Sequence, residues 1–142
     1  MKSTMFVLFA ILVSGCSSLT GKQSPPNNNS LELGLKLVDR ASIEYNPAKG
    51  IELLESNASI DYQVSSAALC LALLGIEEIK DIAKGHTWCF VSMKLGGKES
   101  GSSAELMGIA TAHLAANGGF VNAIRKANEF YEMFIGDRPR FR

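Results

Sequence analysis

The sequence has little of what marks several common classes of protein. Its 142 residues include one tryptophan, two histidines and three cysteines, and 14 Lys and Arg balance 14 Asp and Glu. A nucleic-acid-binding protein needs a basic face that neutralises phosphates. A chain with a net charge of zero and few aromatic side chains therefore predicts no nucleic-acid partner.

Residue patterns that indicate catalysis are also scarce. Beside His86 and His113 there is no nucleophile elbow, phosphate-binding glycine loop or zinc-ligand spacing. A nucleophile paired with histidine would also need an orienting group and an oxyanion donor. We expect His86 at the surface or in a groove, and His113 partly buried on a helix. The sequence thus predicts a non-enzyme with no catalytic residues, metal, cofactor or small-molecule substrate.

The apolar run Met5–Val13 is too short to cross a bilayer, which takes ~20 apolar residues. Lys2 precedes this run, and the small residues Ser14 and Gly15 follow it, which is typical of a secretory signal. We therefore predict a signal peptide over residues 1–15. An ordinary cleavage site between residues 14 and 18 and a short membrane anchor are the alternatives.

The end of this segment, Val13-Ser14-Gly15-Cys16, resembles the lipobox of bacterial lipoproteins. The resemblance implies that Cys16 is acylated and becomes the first mature residue, so that the membrane is a partner through this lipid. Since Ser17 and not Asp follows the cysteine, it also implies an outer-membrane protein facing the periplasm where the envelope has two membranes. Residues 16–30 are polar and contain two prolines and three consecutive asparagines, which predicts a flexible tether.

Residues 31–136 are predicted to form an all-α domain. The leucines at 31, 33, 35 and 37 alternate as in a strand, but Ser30 can cap a helix there, and a helical segment lies 35 residues later. We therefore predict a helix from Leu31 to about Tyr45. The remaining predicted helices run from Pro47 to about Asn57, from Tyr62 to Gly75, from Asp81 to Gly96, from about 99 to Ala116, and from about Val121 to Ile135. We expect Gly75 to end its helix in the left-handed conformation.

Two segments repeat at a spacing of 35 residues. Asn46-Pro47-Ala48-Lys49-Gly50 aligns with Asp81-Ile82-Ala83-Lys84-Gly85. Asn and Asp are good helix N-caps, and Pro is favoured at the first helical position. A fixed period of this size is typical of stacked helical hairpins.

The second copy resembles the Sel1-like repeat, a tetratricopeptide-like family. The residues that carry the resemblance are Asp81, Lys84, Gly85, Trp88 and Gly96. It implies a short solenoid of helical hairpins that binds an as yet unidentified protein. Trp88 is expected to pack between hairpins, and the last helix to cap the open end of the stack. Plain tetratricopeptide-like hairpins and an unrelated helical bundle are the alternatives.

A solenoid presents a concave face to its partner. We expect this face on the first helices of the hairpins, at Lys49, Glu52, Lys84, His86 and Thr87. Envelope members of the family include scaffolds and immunity proteins, so an immunity protein against an envelope toxin and a structural lipoprotein are alternative functions. Residues 137–142 form a basic tail, which could contact anionic lipid or simply fray.

Cys70 and Cys89 lie at similar distances from the connector between two predicted antiparallel helices. In an oxidising envelope they could form a disulfide if their Cα atoms lie within about 7 Å. Two buried thiols that pack as small apolar residues are the alternative. The rotation of the two helices decides between these, and the sequence does not fix it.

Overall fold

The computed structural model describes residues 27–136, which form six α-helices and no strand. The helices are α1 (Asn28–Val38), α2 (Pro47–Ser56), α3 (Tyr62–Gly75), α4 (Ile82–Leu95), α5 (Ser100–Ala116) and α6 (Phe120–Tyr131). Short 3₁₀ turns lie at Ala58–Ile60 and Glu77–Ile79, and a π-helical turn, Glu132–Gly136, follows α6. The all-α prediction is confirmed. The predicted signal peptide, Cys16, most of the tether and the basic tail lie outside the described residues.

Helix α1 begins and ends earlier than predicted. Its cap is Asn27, whose side chain accepts a hydrogen bond from the Ser30 N–H at 2.7 Å. Ser30 is therefore inside the helix, and the predicted tether overlaps its first turn. Beyond Val38 the Asp39 carboxylate accepts the Ala41 N–H at 2.9 Å. Such a local side-chain bond competes with helix continuation, so the predicted extension to Tyr45 is wrong.

Helices α2 and α4 begin in the same way. In each, the cap side chain, Asn46 or Asp81, accepts a hydrogen bond from the backbone N–H three residues later. The cap's own N–H donates to a carbonyl at the end of the preceding helix, that of Leu37 at 2.9 Å or Leu73 at 3.0 Å. Both predicted caps are confirmed. The same hydrogen bonds hold each second helix against the first helix of its hairpin.

Helices α4 and α3 end differently, the first at a glycine with positive φ and the second at a residue with an extended backbone. Gly96, with φ of 65°, ends α4 as predicted, and Gly118, with φ of 72°, makes the break before α6. Within residues 27–136, positive φ occurs only at Gly96, Gly97 and Gly118. Gly75 is still helical, and the extended Ile76 ends α3. The left-handed ending predicted at Gly75 is therefore wrong.

The centre of the molecule is the pair α3 and α4. The most extensive helix contacts are those of α3 with α4, α4 with α5, and α1 with α2. Helix α4 is buried on several sides, because α3, α5 and α6 all pack on it. The largest fully buried apolar side chains of the core are Leu54, Leu69, Cys70, Cys89 and Val91.

The last helix differs from its predicted form. Regular α-helix stops at Tyr131. The residues of the wider π-helical turn, Glu132–Gly136, do not continue the angular spacing of the α-helix. Ala127 and Ile135 are buried, whereas Phe120 and Phe134 lie exposed near the two ends of the segment. Helix α6 packs more extensively on α4 than on its chain neighbour α5. Only part of the apolar surface of this segment is therefore buried.

Candidate functional site

Trp88 is a packing residue. It is 6% exposed, and its ring meets that of Phe130 edge to face at a centroid distance of 5.0 Å. This arrangement is among the favourable geometries for aromatic pairs. Trp88 therefore joins α4 to α6 and offers no free ring for a ligand.

The residues predicted to form the partner-binding face do not all lie on the surface. Its residues Lys49, Glu52, Lys84 and Thr87 lie on α2 and α4, which are the second helices of their hairpins and not the first. Thr87 is half-buried, and its hydroxyl donates to the Ala83 carbonyl at 3.2 Å. His86 is buried and does not belong to this face.

The charges of this face are paired with one another. Lys49 Nζ lies 2.8 Å from Glu52 Oε1 within α2, and Lys84 Nζ lies 2.6 Å from Glu55 Oε1. The second pair joins α4 to α2 and so bridges the two hairpins. Because these ammonium and carboxylate groups satisfy each other, the face offers a partner few unpaired charges.

His86 is fully buried, which contradicts its predicted surface position. Within residues 27–136 neither ring nitrogen has a hydrogen-bond partner. Burial lowers the pKa of the His86 imidazole below 6.5, because desolvation disfavours the charged ring. His113 also departs from prediction, since it is exposed on α5. Neither histidine position could be read from the sequence, because both depend on which sides of α4 and α5 are covered.

The structure contains the disulfide between Cys70 and Cys89. Their Cα atoms are 4.7 Å apart, and both side chains are fully buried. The bond joins the middle of α3 to the middle of α4. It fixes the two central helices to each other.

A groove of about 500 Å³ runs along α3; we call it the α3 groove. Its apolar side is formed by Val64, Ala67, Ala68 and Leu71 of α3. Opposite them lie Ser92 and residues 96–100. Val64 is 41% exposed and Leu71 is 43% exposed, although both are large apolar residues. The groove therefore leaves an aliphatic strip of α3 uncovered.

Side-chain hydrogen bonds link the residues that line the α3 groove. The Gln63 amide donates to the Gly96 carbonyl at 2.7 Å, which ties the start of α3 to the α4–α5 loop. The Ser100 hydroxyl donates to the Gly97 carbonyl at 2.9 Å, which joins the start of α5 to that loop. The α3 groove was not predicted from the sequence. The sequence indicates only that α3 is apolar on all sides. This pattern does not show which side of the helix stays exposed.

A second cavity, of about 530 Å³, lies between the end of α3, the start of α4 and the second half of α5; we call it the basic cleft. Its aliphatic lining comprises Leu74, Ile82, Leu106, Ile109 and Ala110, and its polar lining comprises Lys80 and His113. Cavities of about 300–1,000 Å³ with a mainly apolar lining are typical of small-molecule sites. This cleft was not predicted from the sequence.

No cluster of three or more His, Cys, Asp or Glu side chains suited to a metal ion occurs in residues 27–136. Over the same residues, no helix combines the length and the apolar character needed to cross a membrane.

Comparison of the chain with protein-family models, curated proteins and solved structures finds no match. The geometry of the two cavities is therefore the main guide to function.

Proposed function

We propose that this chain is a lipoprotein, anchored through Cys16, whose helical hairpins bind another protein in the bacterial envelope without catalysis. The observation that carries the proposal is the α3 groove. Val64, Ala68 and Leu71 follow one another at i, i+4 and i+7 and so lie on one face of α3. Contiguous exposed apolar surface of this kind is typical of a protein-binding site.

The chemistry of the groove suits an apolar helix of the partner. An amphipathic helix laid in a groove contributes aliphatic side chains at helical spacing, which match the strip on α3. Lys98 and Glu99 lie at the rim with opposite charges, so the groove has no strong preference for a charged partner. We therefore assign the charged face of α2 and α4, predicted from the sequence as the binding surface, a secondary role.

A Sel1-like arrangement of two hairpins, α1–α2 and α3–α4, is part of this proposal. Its support is the common start of α2 and α4, with Asn46 and Asp81 as caps, and the close helix contact at Gly50 and Gly85. In this scheme α3 is the first helix of its hairpin and contributes to the concave face. Helix α6 covers α4 and would act as the cap of the array.

Export and anchoring are supported by residues 1–16 and by the disulfide. A buried disulfide forms readily in an oxidising compartment and rarely in the cytosol. Incorporation of radiolabelled palmitate into the full chain, and its loss in a Cys16→Ser variant, would test the anchor. Palmitate incorporation that survives in Cys16→Ser would contradict it.

The binding site can be tested in intact cells with a photo-crosslinking amino acid. It would be placed at Leu71 in the groove or at Glu52 on the charged face of α2, each in the full chain. We expect a single crosslinked protein at position 71 and none at position 52. Crosslinking at position 52 alone would contradict the groove assignment.

Matched variants add a second control. Val64→Asp places a charge on the partly exposed aliphatic strip and should abolish the crosslink at position 71. Lys84→Glu alters the other face and should leave the crosslink intact, with the thermal unfolding of each variant measured alongside. The crosslinked partner then separates two roles. A secreted toxin would indicate an immunity protein, and an envelope assembly would indicate a structural lipoprotein.

A further inference from the structure

We propose that the basic cleft binds a long-chain carboxylate, an amphiphile with one acyl chain and one anionic head group. This inference goes beyond protein binding and is independent of the α3 groove. It also adds a small molecule to a protein for which the sequence predicts no small-molecule substrate.

The floor of the cleft suits an acyl chain. Leu74, Ile82 and Leu106 are half-buried, Ala110 is 1% exposed, and Ile109 stands 64% exposed at the mouth. These side chains come from three different helices and surround a space that no side chain of residues 27–136 fills. A single chain of methylene groups would bury this aliphatic surface and cover Ile109.

The polar lining of the cleft suits a carboxylate. Lys80 supplies a positive charge, and His113 supplies an imidazole N–H donor. Lys80 is paired with Glu77 at 2.8 Å, but the Glu77 side chain is 77% exposed, and an exposed ion pair of this kind is readily exchanged.

The two cavities differ in a way that favours different ligands. The α3 groove extends along about two turns of one helix, and the charges at its rim are opposite in sign. The basic cleft is formed where three helices meet, and both polar side chains that line it are basic. The first shape accommodates a segment of protein, whereas the second accommodates a compact ligand with a negative end.

The test uses the full chain in a neutral detergent and dodecanoate that carries a diazirine on its alkyl chain. After illumination, tandem mass spectrometry maps the labelled residues. We expect labels on α5 between Leu106 and His113 and on the segment from Leu74 to Ile82. Excess unlabelled dodecanoate should compete, whereas dodecanol, which lacks the charge, should not.

Variants at the cleft supply the decisive comparison. Ile109→Asn removes an exposed apolar side chain, and Lys80→Glu reverses the charge. Each should reduce labelling of α5 by about tenfold, the effect of losing one interaction with a charged group or a comparable apolar contact. The matched controls Ile43→Asn, at a fully exposed position, and Lys98→Glu, at the α3 groove, should retain the label.

Three results would overturn the proposal. The first is the absence of label in α5, and the second is label that persists in both cleft variants. The third is equal competition by dodecanol, which would show that the head-group charge plays no part. A phosphate-headed single-chain lipid that competes better than dodecanoate would also contradict the carboxylate assignment.

Discussion

The hairpins α1–α2 and α3–α4 begin their second helices alike but join their helices differently. In the first hairpin Gly34 lies against Leu54, where an added Cβ would be 3.1 Å from Leu54 Cγ. In the second, Cys70 is bonded to Cys89, which occupies the position equivalent to Leu54 at the 35-residue spacing. One hairpin is closed by a small residue against a large one, and the other by a covalent bond. Similar helix contacts are thus reached by packing alone or by cross-linking.

The same comparison explains why the second hairpin carries unusual residues. Ile51 and Leu53 of α2 correspond to His86 and Trp88 of α4. Helix α4 is covered by α3, α5 and α6, so its equivalent positions are enclosed on more sides. A tryptophan can be buried there, and a histidine loses contact with water. The position of a hairpin in the fold therefore changes the surroundings of equivalent residues.

The largest effect is expected from removing the disulfide. The bond closes a loop with a sequence separation of 19, and a loop of this size stabilises the fold by about 3 kcal/mol in the chain-entropy model. Cys70→Ala with Cys89→Ala, in a Cys16→Ser background, should lower the free energy of unfolding by about that amount in urea titrations. Cys70→Gly with Cys89→Leu copies the first hairpin and should recover part of the loss. A double alanine variant as stable as its parent would contradict the structural role of the bond.

The next largest effect is expected at the glycines where the helices approach closely. A Cβ at Gly85 would lie 2.5 Å from Leu74 Cδ2, and one at Gly50 would lie 2.7 Å from Val38 Cγ1. Gly85→Val and Gly50→Val should each lower the free energy of unfolding by about 1–3 kcal/mol through overpacking. A Cβ at Gly50 would also lie 3.2 Å from the Gly34 carbonyl oxygen. Because this backbone atom cannot rotate away, the Gly50 variant should be the less stable of the two.

A glycine in open space provides the control for this pair. Nothing lies within 4 Å of a Cβ built at Gly108, which is exposed in the interior of α5. Gly108→Ala should therefore raise the free energy of unfolding by about 0.5–1 kcal/mol, because alanine loses less backbone entropy in a helix. Destabilisation by this change equal to that of Gly85→Val would mean that close approach is not the cause.

The two caps should differ by a smaller amount. Asp81 Oδ1 accepts the Lys84 N–H at 2.9 Å, and Asn46 Oδ1 accepts the Lys49 N–H at 3.3 Å. Loss of such a cap costs about 1 kcal/mol. Asp81→Ala should cost more than Asn46→Ala, because a carboxylate also interacts favourably with the helix dipole. Asp81→Asn should make the two hairpins alike, and equal losses from both alanine variants in low salt would contradict this account.

These caps also show which parts of the structure the sequence could predict. The positions of Asn46, Asp81 and Gly96 follow from bonds within a few residues, so the start of α2 and both ends of α4 were predicted closely. The burial of His86 and the exposure of Leu71 depend on how helices are rotated against one another. That rotation is fixed by packing of distant segments, which the helical period does not reveal. Both cavities arise from the same packing and were missed for the same reason.

His86 should give the second hairpin a pH dependence that the first lacks. Its folded pKa is lowered below 6.5 by burial, so protonation favours the unfolded chain. The stability is fully present above the unfolded pKa of about 6.5 and is lost as the pH falls below it, by less than about 1.4 kcal/mol per pH unit for a single group. His86→Ile copies Ile51 and should flatten the curve of unfolding free energy between pH 7 and 5. A slope that survives in His86→Ile would assign it to another group.

The smallest effect is expected from the ion pair that joins the two hairpins. Lys84 and Glu55 lie 2.6 Å apart with side chains 45% and 28% exposed, so solvent screens much of their attraction. A double-mutant cycle with Lys84→Met and Glu55→Gln should give a coupling energy of about 0.5 kcal/mol that decreases in high salt. The Lys49–Glu52 pair within α2 is 50% and 67% exposed, and its coupling should be smaller still. Because only the first pair spans two hairpins, a coupling near zero for Lys84–Glu55 would show that this ion pair adds nothing to the contact between the hairpins.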